Sequence, residues 1–309
     1  MMSKNRLFKA SLLACAILTA CCRNDARNEG ADNLEHQLLE IVNHSPGTVG
    51  VAFVSDNDTV LINNGVRYAM MSVVKLHQSL AVCGKLALSG TSPDSVLHVS
   101  ASELDPHTWS PMLKDYSADG FDISVGELVR YAIVSSDNNA SNILFDRIAS
   151  PESTDAFIRS VAADSRFSIA CTEADMKADN ARSYDNYTSP LAACLLIRQV
   201  FTTDFDGLPG IDAVRLNLAE VTTGHDRIGA PVAGEEGLLF AHKTGSGYRN
   251  SRGELMAFND VAYIRMPDGR DYGLAVMIRD FDGSEENAAA IMAAISEAVY
   301  DHFMRRQPE

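Results

Sequence analysis

The stretch Met256–Phe281, MAFNDVAYIRMPDGRDYGLAVMIRDF, reads as two β-strands folded back on each other. Apolar, β-branched and aromatic residues fill both arms. Pro267-Asp268-Gly269-Arg270 between them is turn chemistry, because proline presets one backbone torsion and glycine accepts a left-handed one. A final helix follows, from about Glu285 to Phe303. Near the other end, GTVGVAFVSDNDTVLINNG (47–65) gives a second hairpin, turning at Asp56-Asn57-Asp58. Before it, residues 32–44 place Leu34, Leu38, Ile41 and Val42 on one face of a helix that stops near Pro46-Gly47. Strands at both ends with mainly helical signals between them predict an antiparallel sheet assembled from the two chain termini. The expected class is α/β (α+β) with two lobes, a sheet lobe over about 32–68 and 227–309 and a helical lobe over about 69–226. Inside the second, 124–149 reads as two helices meeting at Ser135-Ser136-Asp137-Asn138-Asn139, and 189–202 as another introduced by Ser189-Pro190. Residues 165–188 are polar with little periodicity, and such long loops are usually functional or disordered.

With 309 residues the chain can bury a large core. Its formal net charge of −15 argues against nucleic acid as a partner, since phosphate neutralisation needs clustered positive charge. The first twenty residues read as an export signal: Lys4, Arg6 and Lys9, then the apolar SLLACAILTA, too short to span a bilayer. Leu18-Thr19-Ala20-Cys21 resembles a bacterial lipobox, which makes Cys21 the lipidation candidate, ahead of Cys15, where the apolar run would be very short. The expectation is a periplasmic protein anchored through Cys21 by a tether over 21–31, with plain cleavage after Ala20 to a soluble periplasmic form as the alternative. Apart from that anchor no membrane contact is expected, and no feature argues against a monomer. Cys22, Cys83, Cys171 and Cys194 form no CxxC pair and no zinc spacing, so they are expected to be buried thiols, and neither metal nor organic cofactor is expected.

The chemistry begins at AMMSVVKLHQ (69–78). On a helix, Ser72 and Lys75 share one face, one turn apart. A serine hydroxyl becomes nucleophilic when a base takes its proton, and burial among Met70, Met71, Val73, Val74 and Leu76 lowers a lysine toward that task. Alone, S-x-x-K is a weak signal whose plain reading is a partly exposed helix. Two further patterns follow in order: Ser136-Asp137-Asn138 at a helix junction, and Lys243-Thr244-Gly245 ending the strand-like GLLFAHKTG. Each is unremarkable by itself, as a capping turn or a strand end. All three in this order are not.

The set resembles that of the serine β-lactamases of class A and the related penicillin-binding proteins. The resemblance covers nearly the whole mature chain, and it implies a β-lactam as the small-molecule substrate. It makes Ser72 the acylated nucleophile, Lys75 its proton partner, Ser136 the relay to the lactam nitrogen and Asn138 the holder of the substrate amide. Lys243 and Thr244, with Ser246 beside them, would bind the substrate carboxylate, and the amides of Ser72 and Ser246 would receive the oxyanion. Glu173, in ACTEADMKADN, is matched to the loop glutamate that serves deacylation, with Asp175 and Glu152 as competitors. Where the common class A loop has an arginine two positions before that glutamate, this chain has Cys171. Where the common loop has an asparagine four positions after it, this chain has Lys177. Such a loop, together with Arg227 in TGHDRIGAP, resembles the cephalosporinase and extended-spectrum branch. Arg227 and Arg252 would each bring positive charge to the carboxylate site, and Trp109 matches an aromatic residue flanking the cleft, with core packing as its other reading. The rivals are a penicillin-binding DD-peptidase and a catalytically silent envelope binding module.

Overall fold

The structure, a computed structural model, describes residues 33–117, 119–202 and 205–305. The export signal, Cys15, Cys21, Cys22 and the tether lie outside the described residues. In chain order the helices are α1 (33–43), α2 (Val74–Ser89), α3 (Val125–Val134), α4 (Asn138–Arg147), α5 (Pro151–Val161), α6 (Glu173–Ala178), α7 (Pro190–Val200), α8 (Ile211–Ala219) and α9 (Glu285–Arg305). The strands are β1 (Thr48–Ser55), β2 (Thr59–Ile62), β3 (Tyr68–Ala69), β4 (Val96–Ser100), β5 (Gly120–Ser124), β6 (Phe167–Ser168), β7 (Tyr187–Thr188), β8 (Leu239–Ser246), β9 (Leu255–Arg265) and β10 (Asp271–Phe281).

Five strands form one antiparallel sheet in the order β2-β1-β10-β9-β8, so the two chain ends meet at its centre, with Val51 opposite Val276. Both faces of that centre are covered, which is why its strands read as nearly continuous apolar runs. Val49, Val51 and Phe53 of β1 and Leu274, Val276 and Ile278 of β10 face Leu34, Leu38, Met292, Ile295 and Val299 of the terminal helices. The alternate residues Ala52, Val54, Ala275 and Met277 join the larger core of the helical lobe with Leu76, Leu80 and Ile197. Each of the larger of these side chains, the valines, leucines, isoleucines, methionines and Phe53, gains ~1.5–3 kcal/mol on leaving water. A one-residue slip of β10 would exchange the two sets and place small residues where large ones are needed.

Residues 165–188 do carry regular structure, in short pieces: β6, α6, a 3₁₀ turn over Asn180–Tyr184, and β7. Each is too short for a hydrophobic period to register. α6 exists because its first turn is capped reciprocally, Thr172 accepting from the Asp175 amide and Asp175 accepting from the Thr172 amide. The segment is drawn together at its neck by Asn186, fully buried, whose Oδ1 accepts from Ala170 N (2.7 Å) and Cys171 N (3.0 Å) while Nδ2 donates to Cys171 O (2.8 Å). The β4–β5 pair inside the helical lobe has no clear signal in the sequence.

Candidate active site

The first pattern lies where the chain leaves β3. Met71–Val73 forms a 3₁₀ turn that runs straight into α2, so Ser72 stands at the head of a buried helix and Lys75 one turn below it. Lys75 Nζ donates to Ser72 Oγ at 2.9 Å, to Ser136 O at 2.8 Å and to Asn138 Oδ1 at 2.7 Å, and it pairs with Glu173 Oε1 at 3.0 Å. Ser72 Oγ in turn donates to Glu173 Oε1 at 3.3 Å. Lys75 is fully buried and Glu173 is 7% exposed. Burial pushes the Lys75 ammonium below its ordinary value, while Glu173 and Asp137 pull it the other way.

The second pattern comes from the junction of α3 and α4. Asp137 is the N-cap of α4, accepting from Ala140 N, and it also accepts from Met112 N and Ser110 Oγ. It is a buried hub that fixes Ser136 and Asn138 on either side. The third comes from β8, whose Lys243 Nζ donates to Ser136 Oγ at 3.1 Å and to Thr244 O at 3.0 Å. Burial first, then the neighbouring Lys75, pushes Lys243 well below the usual lysine value. Ser136 therefore bridges the two lysines. Its Oγ lies 3.4 Å from Lys75 Nζ, so a chain of hydrogen bonds runs from Ser72 through Lys75 to Ser136 and Lys243.

Backbone geometry holds this arrangement under tension. Met71 (φ 47°) and Ser136 (φ 57°) both take left-handed backbone conformations, and both line the cleft. Such residues cost about 1–3 kcal/mol each and persist where surroundings over-determine them. Here Asn259 of β9 donates to Ala69 O (2.8 Å) and Met70 O (3.2 Å), clamping the turn before Ser72. Gly245 lets β8 approach that turn, since a Cβ there would lie 2.4 Å from Met70 O. Gly247 N donates to Ala257 O across the ladder, so strand alternation turns the Ser246 amide away from β9, on the edge of β8 that the Ser72 turn packs against. The Ser72 amide opens the 3₁₀ turn, where first-turn N–H groups have no intrahelical partner. The two amides form the kind of donor pair an oxyanion requires.

The cleft around these groups has a volume of about 560 Å³, and Ser72, Ser136, Asn138, Glu173, Arg227, Thr244, Ser246 and Trp109 all line it. Arg227 is buried; its guanidinium donates to Ser246 Oγ and Asn259 O, both at 2.7 Å, and stacks 3.6 Å from the Phe258 ring centre. Arg252 does not join the cleft lining. It is exposed and paired with Glu254, only two residues away, so the expectation that it charges the carboxylate site is corrected by a local competitor. Trp109 is 60% exposed, with its indole N–H on Ser135 O, so it flanks the cleft and does not pack in the core. Asp175 is taken up by Arg182 and the Thr172 cap, and Glu152 sits in the first turn of α5, away from the cleft lining. Cys83, Cys171 and Cys194 are free and buried, and burial pushes the Cys171 thiol up to about 12. Among the described residues no group of three or more His, Cys, Asp or Glu side chains is disposed to hold a metal ion.

Sequence reasoning missed Asn259, Thr223, Tyr248 and Glu285, and it gave Asp137, the middle residue of the second pattern, no role of its own. Thr223 Oγ1 lies 2.6 Å from Thr244 Oγ1, and Tyr248 and Glu285 line the cleft. Asn259-Asp260 did carry a signal, as two polar residues inside a strand otherwise fit for burial.

The family model described as "Beta-lactamase enzyme family" matches residues 33–303. A "Beta-lactamase" of Phocaeicola vulgatus is 42% identical over 296 residues, covering 95% of this chain and 92% of that protein. Among solved structures, a class A beta-lactamase from Bacteroides cellulosilyticus superposes with a TM-score of 0.83 at 28% identity, covering 90% of this chain and 99% of its own. The TLA-1 extended-spectrum beta-lactamase does so with a TM-score of 0.84 at 31% identity, covering 89% and 99%.

Proposed function

The chain belongs to the class A serine β-lactamases and hydrolyses β-lactams, an activity that confers resistance, and from that premise we propose that it opens cephalosporins and penicillins through an acyl-enzyme on Ser72. The observation that carries the mechanism is the position of Ser72 Oγ, 2.9 Å from Lys75 Nζ and 3.3 Å from Glu173 Oε1. Ser72 Oγ attacks the lactam carbonyl carbon while its proton passes to the Lys75–Glu173 pair. The C–N bond breaks, and the nitrogen takes the proton of Ser136 Oγ, which Lys75 replaces. The carbonyl oxygen, negative during the step, accepts from the Ser72 and Ser246 amides, where aligned donors contribute most. Lys243, Thr244 and Arg227 hold the substrate carboxylate, and Asn138 holds its side-chain amide. In the second half, Glu173 takes a proton from a water that attacks the ester carbonyl, and that proton returns to Ser72 Oγ as the ester bond breaks.

A preference for cephalosporins is supported by the cleft arginine being Arg227 and not Arg252, by the Cys171 and Lys177 departures, and by the name of TLA-1 as an extended-spectrum enzyme. The protein acts as a monomer in the periplasm, anchored through an acylated Cys21; labelling with a radioactive fatty acid that persists in Cys21→Ala would remove that anchor. The test of the reaction is mixing the mature protein with a chromogenic cephalosporin while following colour and intact mass. Repeated turnover with a transient adduct on Ser72 supports the reading. A stoichiometric long-lived adduct points to a DD-peptidase, and no reaction points to a binding module. Glu173→Ala should acylate and then stall, slowing deacylation by about 10²–10⁴-fold.

A further inference from the structure

Lys177 and Asp105 form an ion pair at the rim of the cleft that none of the steps above uses. Lys177 lies four residues after Glu173, so the two side chains share one face of α6, and both line the cleft. α6 has six residues, too few to be stable by itself, and its orientation depends on what grips each end. The Glu173 end is gripped by the Thr172 cap and by Asn142, whose Oδ1 accepts from Ala174 N at 3.0 Å. Lys177 grips the other side.

Asp105 is a firm anchor for such a grip. Its backbone is stitched to the buried Asn139, which accepts from Asp105 N at 2.9 Å and donates to Asp105 O at 3.1 Å. One carboxylate oxygen accepts from His107 N at 2.8 Å, leaving the other for Lys177. Three and four residues on, Thr108 Oγ1 accepts from Asn138 Nδ2 (3.0 Å) and Trp109 O from Asn138 N (2.9 Å). The segment 105–109 is therefore fixed to the start of α4, the element that also carries Asn138.

We propose that the Lys177–Asp105 pair is a strap across the cleft that ties α6 to the 105–109 segment and so sets the position of the Glu173 carboxylate for deacylation. With its ammonium committed to Asp105, Lys177 acts through the helix and does not touch the reacting atoms. Both are positioning residues. The inference rests on the deacylating role given to Glu173.

Four variants of the mature protein test it: Lys177→Met, Asp105→Asn, the exchanged pair Lys177→Asp with Asp105→Lys, and Glu173→Ala. Acylation and deacylation of a chromogenic cephalosporin are timed separately by rapid quench and intact mass, alongside melting temperature. The expected result is deacylation slowed about fivefold in each single variant, the scale of one well-placed ion pair, with acylation within about twofold and recovery in the exchanged pair. Lowered melting temperature with deacylation unchanged would make the pair merely structural and overturn the strap. A raised KM in Lys177→Met that Asp105→Asn does not share would make Lys177 a direct substrate contact, and that too would overturn the strap. Normal deacylation in Glu173→Ala would instead remove the reading beneath, whatever the strap variants do.

Discussion

The cleft has two walls built to different standards. On one, Ser72, Lys75, Ser136 and Lys243 come from the 3₁₀ turn before α2, α2 itself, the α3–α4 junction and β8, and both lysines are fully buried with several partners each. On the other, Glu173 rides on a six-residue helix whose outer ties, Lys177–Asp105 and Arg182–Asp175, join side chains more than a third exposed. The first wall is over-determined and the second hangs on a few contacts. Ring opening should therefore tolerate disturbance that ester hydrolysis does not, and substitutions can separate the two steps.

The sharpest probe of the first wall is Asn259→Ala, which removes both clamps on the turn before Ser72. Acylation should fall about 10²–10³-fold, the scale of a misplaced reacting group, as read by the rate of adduct formation. Asn186→Ala addresses the other wall by opening the loop neck. Deacylation should slow about thirtyfold with acylation little changed, since the buried Cys171 amide loses its acceptor at about 1–3 kcal/mol and the half-buried Ala170 amide loses the same partner. If Asn186→Ala slowed acylation as much as deacylation, the contrast between the walls would collapse.

His77 does not line the cleft but is buried where the helix behind the first wall meets the base of the loop behind the second. It sits on α2 one turn beyond Val73, whose carbonyl lies 3.3 Å from its Nδ1, and its ring packs 5.8 Å from Phe167 at the base of the loop. Burial pushes it down to about 4 from an ordinary 6.5. The folded protein thus keeps it neutral while the unfolded chain protonates first. Its contribution to stability is complete above about pH 6.5 and is lost as pH falls toward 4, at about 1.4 kcal/mol per pH unit in between. Urea unfolding from pH 7 to 4.5 should show that slope, and His77→Leu should flatten it. The smallest contrast is between arginines. Arg227→Ala should raise KM about fivefold by weakening the grip on the substrate carboxylate, while Arg252→Ala leaves both constants unchanged. A KM effect in Arg252→Ala would restore that residue to the cleft.

Much of the architecture is legible in the sequence because its signals are local. The terminal hairpins announce themselves by composition and turn residues, and S-x-x-K becomes a geometry as soon as its segment is helical. Ser135–Asn139 reads correctly as a helix junction because capping chemistry is short-range, although Asp137, the residue that holds it, stands out less than its neighbours. Arg252 misleads because a position nine residues after Lys243 says nothing of what lies nearer, and Glu254 lies nearer. Thr223, Tyr248 and Glu285 reach the cleft from three separate segments, so only the assembled sheet brings them together. Residues 165–188 resist for a different reason. Their order comes from caps and from Asn186, single residues with no period to detect.

β8 is one of the two edge strands of the main sheet, with β2 at the opposite edge. Part of its free edge is covered by α8 and by the turn that carries Ser72, and the Ser246–Gly247 end opens into the cleft. Exposed strand edges invite pairing with whatever extended chain arrives, and proteins usually block them. In the mechanism proposed above, the unblocked length is where the substrate is received, and the donor it offers is a main-chain N–H. A side-chain contact is lost by one nucleotide change, but this donor survives every replacement of Ser246 except proline. On that mechanism, drift among descendants of this enzyme would redraw which drugs fit through cleft-lining residues such as Arg227, Trp109 and Tyr248, while the amide assigned to the developing charge is passed on unaltered.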